Sequence, residues 1–278
     1  MSRPLRLDFP DAIHHVTARG NAREHVFRDE ADRVRLLETL AQVVERFHWL
    51  VLGYCQMGNH YHLLVETPRP NLSRGMRQLN GVYAQRFNGR HGRVGHVFQA
   101  RFHALLVARD EHLLAVAAYL PLNPVRAGLC AEAENWRWSS YRATVGLEPP
   151  GFLAIDSLLA HFGDTRASAR TQYRRFVDEQ RGTRAVAENR SIFLGDARFV
   201  AGHTRDLDAI TEVPRSHWKP ARPALEEVLI PRSDAAIAAA YRDHGYRMRE
   251  IAERLGVHYA TVSRRIRRHE AAMSECKT

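Results

Sequence analysis

The order of its hydrophobic patterns is the feature that most limits how this 278-residue chain can fold. Strand-like and helix-like periodicities alternate over the first 120 residues. The predicted segments are, in order, a strand at 13–19, a helix at 29–48, strands at 49–57 and 60–66 joined at Gly58-Asn59, a helix at 71–88, a strand at 102–108 and a helix at 110–120. The order β-α-β-β-α-β predicts a ferredoxin-like split βαβ sandwich of the α+β class.

Strand patterns fade after residue 146, and we predict three domains from this change. The sandwich would occupy residues 1–146, a helical middle region with a proline-containing linker residues 147–232, and a helix-turn-helix residues 233–278. In the last of these, the run MREIAERLGVHYATVSRRIR has a small Ala252 in its first helix and Gly256 at its turn, as a helix-turn-helix requires. The alternative is a basic helical hairpin that contacts protein.

The charge of the chain indicates a polyanionic partner. Its formal net charge is +10, and most of the basic residues are arginines, which suit bidentate contacts to phosphate. Nucleic acid is the first expectation, and a merely basic soluble protein is the alternative. No apolar run is long enough to cross a bilayer, and the N-terminus lacks the apolar region of a secretory signal. With three scattered cysteines, these features predict a cytoplasmic protein without a membrane partner.

Two histidines stand out in the stretch QMGNHYHLLVE. His60 and His62 are two residues apart in a predicted strand, so both imidazoles are expected on one face, with Tyr61 on the other. Imidazole nitrogens bind divalent metals, and a site with two of them needs at least one further ligand. The alternative is a chance pair of half-exposed histidines, since the chain has 16 histidines.

A tyrosine and an asparagine in AAYLPLNPVRAG form a second candidate pair. Tyr119 and Asn123 are four residues apart, which would place them on one face of a helix. A phenol can act as a nucleophile, and an amide oxygen can bind a hard metal ion. The alternative is a packing tyrosine and an asparagine cap before Pro124. Pro121 is expected to delete a helical hydrogen bond and kink the helix, which weakens the prediction of a shared face.

Four segments in register resemble the HUH single-tyrosine transposases and, within them, the REP-associated tyrosine transposases. They are HHVTARGN (14–21), QMGNHYHLLVE (56–66), GRVGHVFQARFHALLV (92–107) and YLPLNPVRAGL (119–129). The resemblance implies that His60 and His62 bind Mg²⁺ or Mn²⁺, that Asn123 is the third ligand and that Tyr119 is the nucleophile. The two histidines would point away from the core and hold the cation over a phosphate. Tyr61 stands where the family name implies a large hydrophobic residue.

The resemblance also implies the reaction and its partner. Members of the family cleave single-stranded DNA near a hairpin, form a 5′-phosphotyrosine link and release a 3′-OH that can rejoin strands. We therefore expect a bacterial, nucleoid-associated enzyme that is a monomer or a homodimer. One rival is a regulator that keeps the fold and the hairpin specificity without the chemistry, and another is a metal nuclease that uses water. The intact set of four candidate residues favours the enzyme over the regulator.

Two groups of side chains are expected to contact DNA. In the sandwich they are Arg74, Arg77, Arg86, Arg90, Arg93 and Arg101. In the recognition helix they are Tyr259, Thr261, Ser263, Arg264, Arg265, Arg267 and Arg268. Guanidinium groups suit phosphate, and the second helix of a helix-turn-helix enters the major groove. The alternative for the first group is a solvated helix face beside a flexible loop.

Overall fold

A computed structural model describes residues 8–109, 111–182, 193–204, 224–231, 233–242, 244, 246 and 248–275. The strands are β1 (Ala12–Arg19), β2 (Leu50–Gln56), β3 (His60–Thr67), β4 (His103–Val107) and β5 (Phe193–Leu194). The helices are α1 (Glu30–Phe47), α2 (Leu72–His91), α3 (Glu111–Arg126), α4 (Tyr141–Thr144), α5 (Ile155–Leu159), α6 (Arg166–Glu179), α7 (Ala197–Thr204), α8 (Leu225–Val228), α9 (Asp234–Arg242), α10 (Met248–Leu255) and α11 (Tyr259–Glu275). Much of the predicted linker therefore lies outside the described residues.

The strands form one sheet in the order β2-β3-β1-β4-β5. The first four pair antiparallel, with β1 between β3 and β4, and the short β5 joins β4 in parallel at the edge. This is the split βαβ arrangement, so the predicted α+β class and ferredoxin-like sandwich are confirmed.

Helices cover both faces of the sheet, and alternate residues of β3 show which helix lies on which face. Tyr61 and Leu63 pack in the hydrophobic cluster that includes α1 and α2. Leu64 packs in a second cluster with α3. Because successive side chains of a strand point to opposite faces, His60 and His62 share the face that α3 covers.

Local signals in the sequence explain where α1 and the β2–β3 hairpin begin and end. The Asp29 carboxylate accepts a hydrogen bond from the Asp32 backbone N–H (3.0 Å) and so caps α1, close to the predicted helix start at residue 29. The hairpin turns at Gly58-Asn59, and Met57 N–H donates to the His60 carbonyl (2.8 Å). Both predictions are confirmed.

Helix α3 does not end near residue 120 as predicted, but continues through Pro121 and Pro124 to Arg126. Neither proline has a backbone N–H to donate to the carbonyl four residues earlier. In a regular helix those carbonyls belong to Ala117 and Leu120. A helix with two such open acceptors needs other donors to remain intact.

Two side chains supply those donors. The Tyr173 hydroxyl, from α6, donates to the Ala117 carbonyl (2.9 Å). The Asn123 side-chain Nδ2 donates to the carbonyls of Leu120 (3.3 Å) and Tyr119 (2.9 Å). The prolines therefore leave neither carbonyl unsatisfied. Pro121 deletes a helical hydrogen bond as expected, but the helix continues past its predicted end at residue 120.

The hydrophobic cluster beneath α3 continues past residue 146. Leu158 of α5 and Tyr173 and Val177 of α6 are buried in the same cluster as α3. The predicted division into 1–146 and 147–232 stays a prediction, but packing does not break at residue 146. Without α5 and α6, the outer side of α3 would lose its cover.

The C-terminal helices form their own hydrophobic cluster, in which Ile237, Ile251 and Val262 are buried. Gly256 lies between α10 and α11 with a φ of 67°, a left-handed conformation that glycine adopts without strain. The predicted helix-turn-helix is therefore present as α9, α10 and α11. Among the residues described, no helix is both long and apolar enough to cross a membrane.

Candidate active site

The register of β1 against β3 brings the two predicted histidines onto one patch of the sheet. Thr17 lies opposite His62, and Arg19 lies opposite His60. The ring centroids of His60 and His62 are 4.9 Å apart. His62 is only 4% exposed, because α3 covers it, whereas His60 is half-buried. The expectation that both histidines point away from the core is therefore wrong for His62.

A third histidine, His15 of β1, lies against His62. The His15 Nε2 and His62 Nδ1 atoms are 3.1 Å apart, and the two rings stack with centroids 5.2 Å apart. The Thr17 hydroxyl also lies 3.1 Å from His62 Nδ1. The sequence analysis quoted HHVTARGN without giving His15 a role. Its same-face spacing with Thr17 is the signal that could have found it.

Burial keeps the inner histidines neutral. It lowers the pKa of His15 to about 4, with a smaller contribution from the nearby His103. Burial also lowers the pKa of His62 well below its ordinary value, and the positive charges of His15, His60 and Arg19 act in the same direction. A neutral imidazole keeps a lone pair on one ring nitrogen, which is the form that binds a metal ion.

The available donor atoms fit a divalent cation. His62 Nε2 is buried and has no hydrogen-bond partner, which leaves a lone pair to donate. His60 Nδ1 is 2.7 Å from Asn59 Oδ1, so that nitrogen carries the proton and Nε2 carries the lone pair. The described residues hold no group of three or more His, Cys, Asp or Glu side chains arranged to bind a metal.

Tyr119 projects from α3 toward the same histidines. Its ring centroid is 5.6 Å from that of His62 and 5.8 Å from that of His15, with both contacts edge to face. The guanidinium carbon of Arg126 lies 5.5 Å from the Tyr119 ring centroid. Arg126 was not identified from the sequence, although a spacing of seven residues puts it two turns along the same helix face.

Asn123 lies one turn after Tyr119, but its amide is engaged with its own helix. Its Nδ2 donates to the two carbonyls described above, and this fixes the orientation of the side chain. Oδ1 is the amide atom that can act as a ligand. The structure thus gives Asn123 a role in supporting the helix that the sequence did not indicate.

Several of the arginines predicted to bind DNA on the sandwich form hydrogen bonds or ion pairs with other side chains of the chain. The pairs are Arg86 with Thr39 (3.1 Å), Arg90 with Asp29 (2.6 Å) and Asp32 (2.7 Å), and Arg93 with Glu24 (2.7 Å). A guanidinium paired with a carboxylate has little net charge left for a phosphate. The phosphate contacts of Arg90 and Arg93 stay predictions, and each would have to compete with a carboxylate of the chain. Arg74, Arg77 and Arg101 instead line a groove beside α2.

The recognition helix shows a similar division. Arg265 and Arg268 both pair with Asp234 at the start of α9, each at 2.5 Å, so these two arginines stabilise the domain internally. Arg264 is exposed, and its nearest polar contact is the Thr261 hydroxyl at 3.4 Å. Ser263 is half-buried. The side chains of Tyr259 and Arg267 lie outside the described part of the chain.

Two family models match separate segments of this chain. Residues 9–122, less than half of the chain, match the family described as IS200-like transposases. Residues 235–273 match the homeodomain-like helix-turn-helix family. A solved structure of a REP-associated tyrosine transposase bound to a REP hairpin is 18% identical, covers 54% of this chain and 90% of its own, and has a TM-score of 0.46. No curated protein matches the chain.

A split βαβ sandwich with a transposase sequence signature, followed by a separate helix-turn-helix, defines the class of the two matched segments. Residues 9–122 are similar to the IS200-like transposases, in agreement with the transposase resemblance and the enzyme class predicted from the sequence.

Proposed function

We propose that this chain is a transposase that cleaves and rejoins single-stranded DNA beside a hairpin, with Tyr119 as the nucleophile and a divalent metal held by His60 and His62. One observation supports this proposal most directly. The Tyr119 ring contacts the His62 ring edge to face between β3 and α3, with the two ring centroids 5.6 Å apart. A tyrosine in this position can reach a phosphate held next to the histidines.

Ionisation of Tyr119 is the first requirement of the proposed reaction. A phenol with a pKa near ~10 is a weak nucleophile at neutral pH. When bound, Mg²⁺ or Mn²⁺ would supply positive charge that polarises the scissile phosphate. His60, His62 and the Asn123 amide oxygen would hold it, and such a site leaves positions open for phosphate oxygens.

The proposed step is a balanced transfer of one phosphoryl group. The Tyr119 oxygen loses its proton to solvent and attacks the phosphorus, and the bond from phosphorus to the 3′ oxygen breaks. The 3′ oxygen takes up a proton and leaves as a 3′-OH, while the 5′ end stays linked to Tyr119. Attack of a 3′-OH on that link reverses the step, so rejoining needs no nucleotide cofactor.

The DNA partner is proposed from the motifs and the charge. The four motifs resemble those of REP-associated transposases, which supports a REP-like hairpin as the substrate. Arg74, Arg77 and Arg101, which line the groove beside α2, are the first candidates to contact the single strand. The helix-turn-helix would hold the duplex stem through its recognition helix, including Thr261 and Arg264. Deleting residues 233–278 should then weaken hairpin binding but leave cleavage of saturating oligonucleotide intact.

Label transfer tests the chemistry directly. The full chain is incubated with hairpin oligonucleotides labelled at either end, with Mg²⁺, Mn²⁺ or a chelator, and separated on denaturing gels. A label 3′ of the nick should stay on the protein, and the adduct should be lost in Tyr119→Phe and with chelator. The exposed Tyr241 offers a control, because Tyr241→Phe should keep the adduct. Tight hairpin binding without any adduct would favour the regulator instead.

A further inference from the structure

A groove outside the tyrosine–histidine site runs between α2 and the segment 95–102. Its volume is about 750 Å³. The inner surface is apolar, with Met76, Ala84, Val97 and Phe98 among its residues. The Phe98 ring is half-buried and packs against Tyr61 and Tyr83, with centroids 6.1 Å from each.

Arginines line this groove, and two of them, Arg74 and Arg77, lie one turn apart on α2. Arg74 and Arg77 are exposed, and Arg101 reaches the groove from the opposite wall. An apolar interior with positive charge around it complements an unpaired nucleotide, whose base is flat and apolar on its faces and whose phosphates are negative.

A glycine keeps the groove open. Gly81 lies in the interior of α2, where glycine costs about 1 kcal/mol relative to alanine. A Cβ at Gly81 would meet nothing within 4 Å, so no neighbouring group excludes a side chain there. Gly75 of the same helix is different, because a Cβ there would lie 2.1 Å from the Trp49 ring. Glycine at position 81 leaves room for something that approaches the helix from the groove.

The groove wall is connected to the candidate active site by backbone hydrogen bonds. Asn21 N–H donates to the Val97 carbonyl (2.9 Å), and Gln99 N–H donates to the Arg19 carbonyl (3.0 Å). Arg19 is the residue opposite His60 on β3. These bonds fix the groove wall to the end of β1, the strand that pairs with β3 at His60.

We propose that this groove binds one unpaired nucleotide of the DNA strand, with the base against Phe98 and the flanking phosphates at Arg74 and Arg77. The inference rests on the proposed function only in taking single-stranded DNA as the substrate. It requires neither the metal nor the nucleophile.

Binding of strands with and without bases tests the proposal. The affinity of the full-length protein for oligothymidylate is compared with that for an abasic strand of equal length, with EDTA present so that no metal-dependent cleavage occurs. The wild type should prefer oligothymidylate by about tenfold, the contribution expected from one stacked base. Gly81→Leu fills the groove and should reduce the preference to near one, with little change in the affinity for the abasic strand.

Gly89→Leu is the matched control, because Gly89 also lies in α2 with nothing within 4 Å of a Cβ but does not line this groove. It should keep the tenfold preference. Urea unfolding confirms that both variants are folded. The proposal is overturned if the wild type shows no preference, if Gly81→Leu retains it, or if Gly89→Leu loses it equally. Loss of the covalent adduct in a separate assay would bear on Tyr119 alone.

Discussion

The Tyr173 hydroxyl donates a hydrogen bond to the Ala117 carbonyl at 2.9 Å, and this is the acceptor that Pro121 leaves without a helical partner. Ala117 is buried in α3 two residues before Tyr119. Tyr173 belongs to α6, beyond the segment that matches the transposase family. The position of the proposed nucleophile therefore depends on a residue more than fifty positions further along the chain.

Tyr173→Phe should lower the free energy of unfolding by about 1–3 kcal/mol, because it leaves a buried carbonyl unsatisfied. It should also slow adduct formation by Tyr119 while leaving DNA affinity unchanged. Rates of label transfer and urea unfolding measure the two effects. Tyr83→Phe is the control, since the Tyr83 hydroxyl donates to the Val26 carbonyl on the other face of the sheet. A similar slowing in Tyr83→Phe would show that the rate follows general stability.

Asn123→Asp separates support of the helix from metal binding. A carboxylate keeps a ligand oxygen but cannot donate to the carbonyls of Tyr119 and Leu120. We expect a loss of about 1–3 kcal/mol of stability with Mn²⁺ affinity retained or increased. Asn88→Asp provides the comparison, because Asn88 Nδ2 donates to the Gly95 carbonyl at an exposed position. Unchanged stability in Asn123→Asp would contradict the supporting role.

His15 is expected to fix the orientation of His62. Replacing it in His15→Phe removes the ring nitrogen 3.1 Å from His62 Nδ1 while filling a similar volume. Mn²⁺ affinity, measured by titration calorimetry without DNA, should fall by about tenfold, as losses of partners of metal ligands typically do. The exposed His161, outside the sheet, serves as control in His161→Gln, which should bind Mn²⁺ as the wild type does. Equal affinities in all three proteins would remove His15 from the site.

Arg77 and Arg90 should behave differently although both lie on α2. Arg77→Ala should weaken binding of single-stranded DNA and reduce the slope of log affinity against log salt by about 0.7, the value for one lost phosphate contact. Arg90→Ala should leave the slope unchanged and lower stability, because the buried Asp32 loses a partner. A reduced slope in Arg90→Ala would support its predicted DNA contact.

His14 should make the fold sensitive to mild acid. Burial lowers its pKa from 6.5 to about 4, so the unfolded chain takes up a proton first as the pH falls. Stability is unaffected above the unfolded pKa and falls as the pH drops from about 6.5 toward 4. The loss in unfolding free energy between pH 7 and pH 5 should be about 2 kcal/mol smaller in His14→Leu than in the wild type. His161→Leu, at an exposed position, should keep the wild-type dependence.

Sequence patterns predicted the elements whose signals are local. The carboxylate of Asp29 before an apolar helical repeat, and Gly58-Asn59 between two strands, each specify structure within a few residues. The same holds for Gly256 in the helix-turn-helix. His60 and His62 were placed on one face by the strand period alone.

Features that depend on distant partners were not predicted. His15 meets His62 through the register of β1 on β3, 47 residues apart in sequence, which no local pattern gives. The continuity of α3 depends on Tyr173, so the predicted end of that helix near residue 120 was wrong. Likewise, Arg90 was predicted to contact phosphate from its residue type alone. In the structure it pairs with Asp29, the cap of α1, and with Asp32 in the first turn of that helix.

The side chains of Asn123 and Tyr173 donate the hydrogen bonds that Pro121 and Pro124 cannot donate. They therefore determine the shortest segment of this chain that could be grafted onto another protein with α3 intact. A graft trimmed to the family segment, residues 9–122, would include Tyr119 but lack both Asn123 and Tyr173. Its nucleophile would stand on a helix end with open carbonyls. A graft that is to keep the proposed nucleophile in place must therefore extend through α6, and fusion junctions belong after Glu179 rather than after α3.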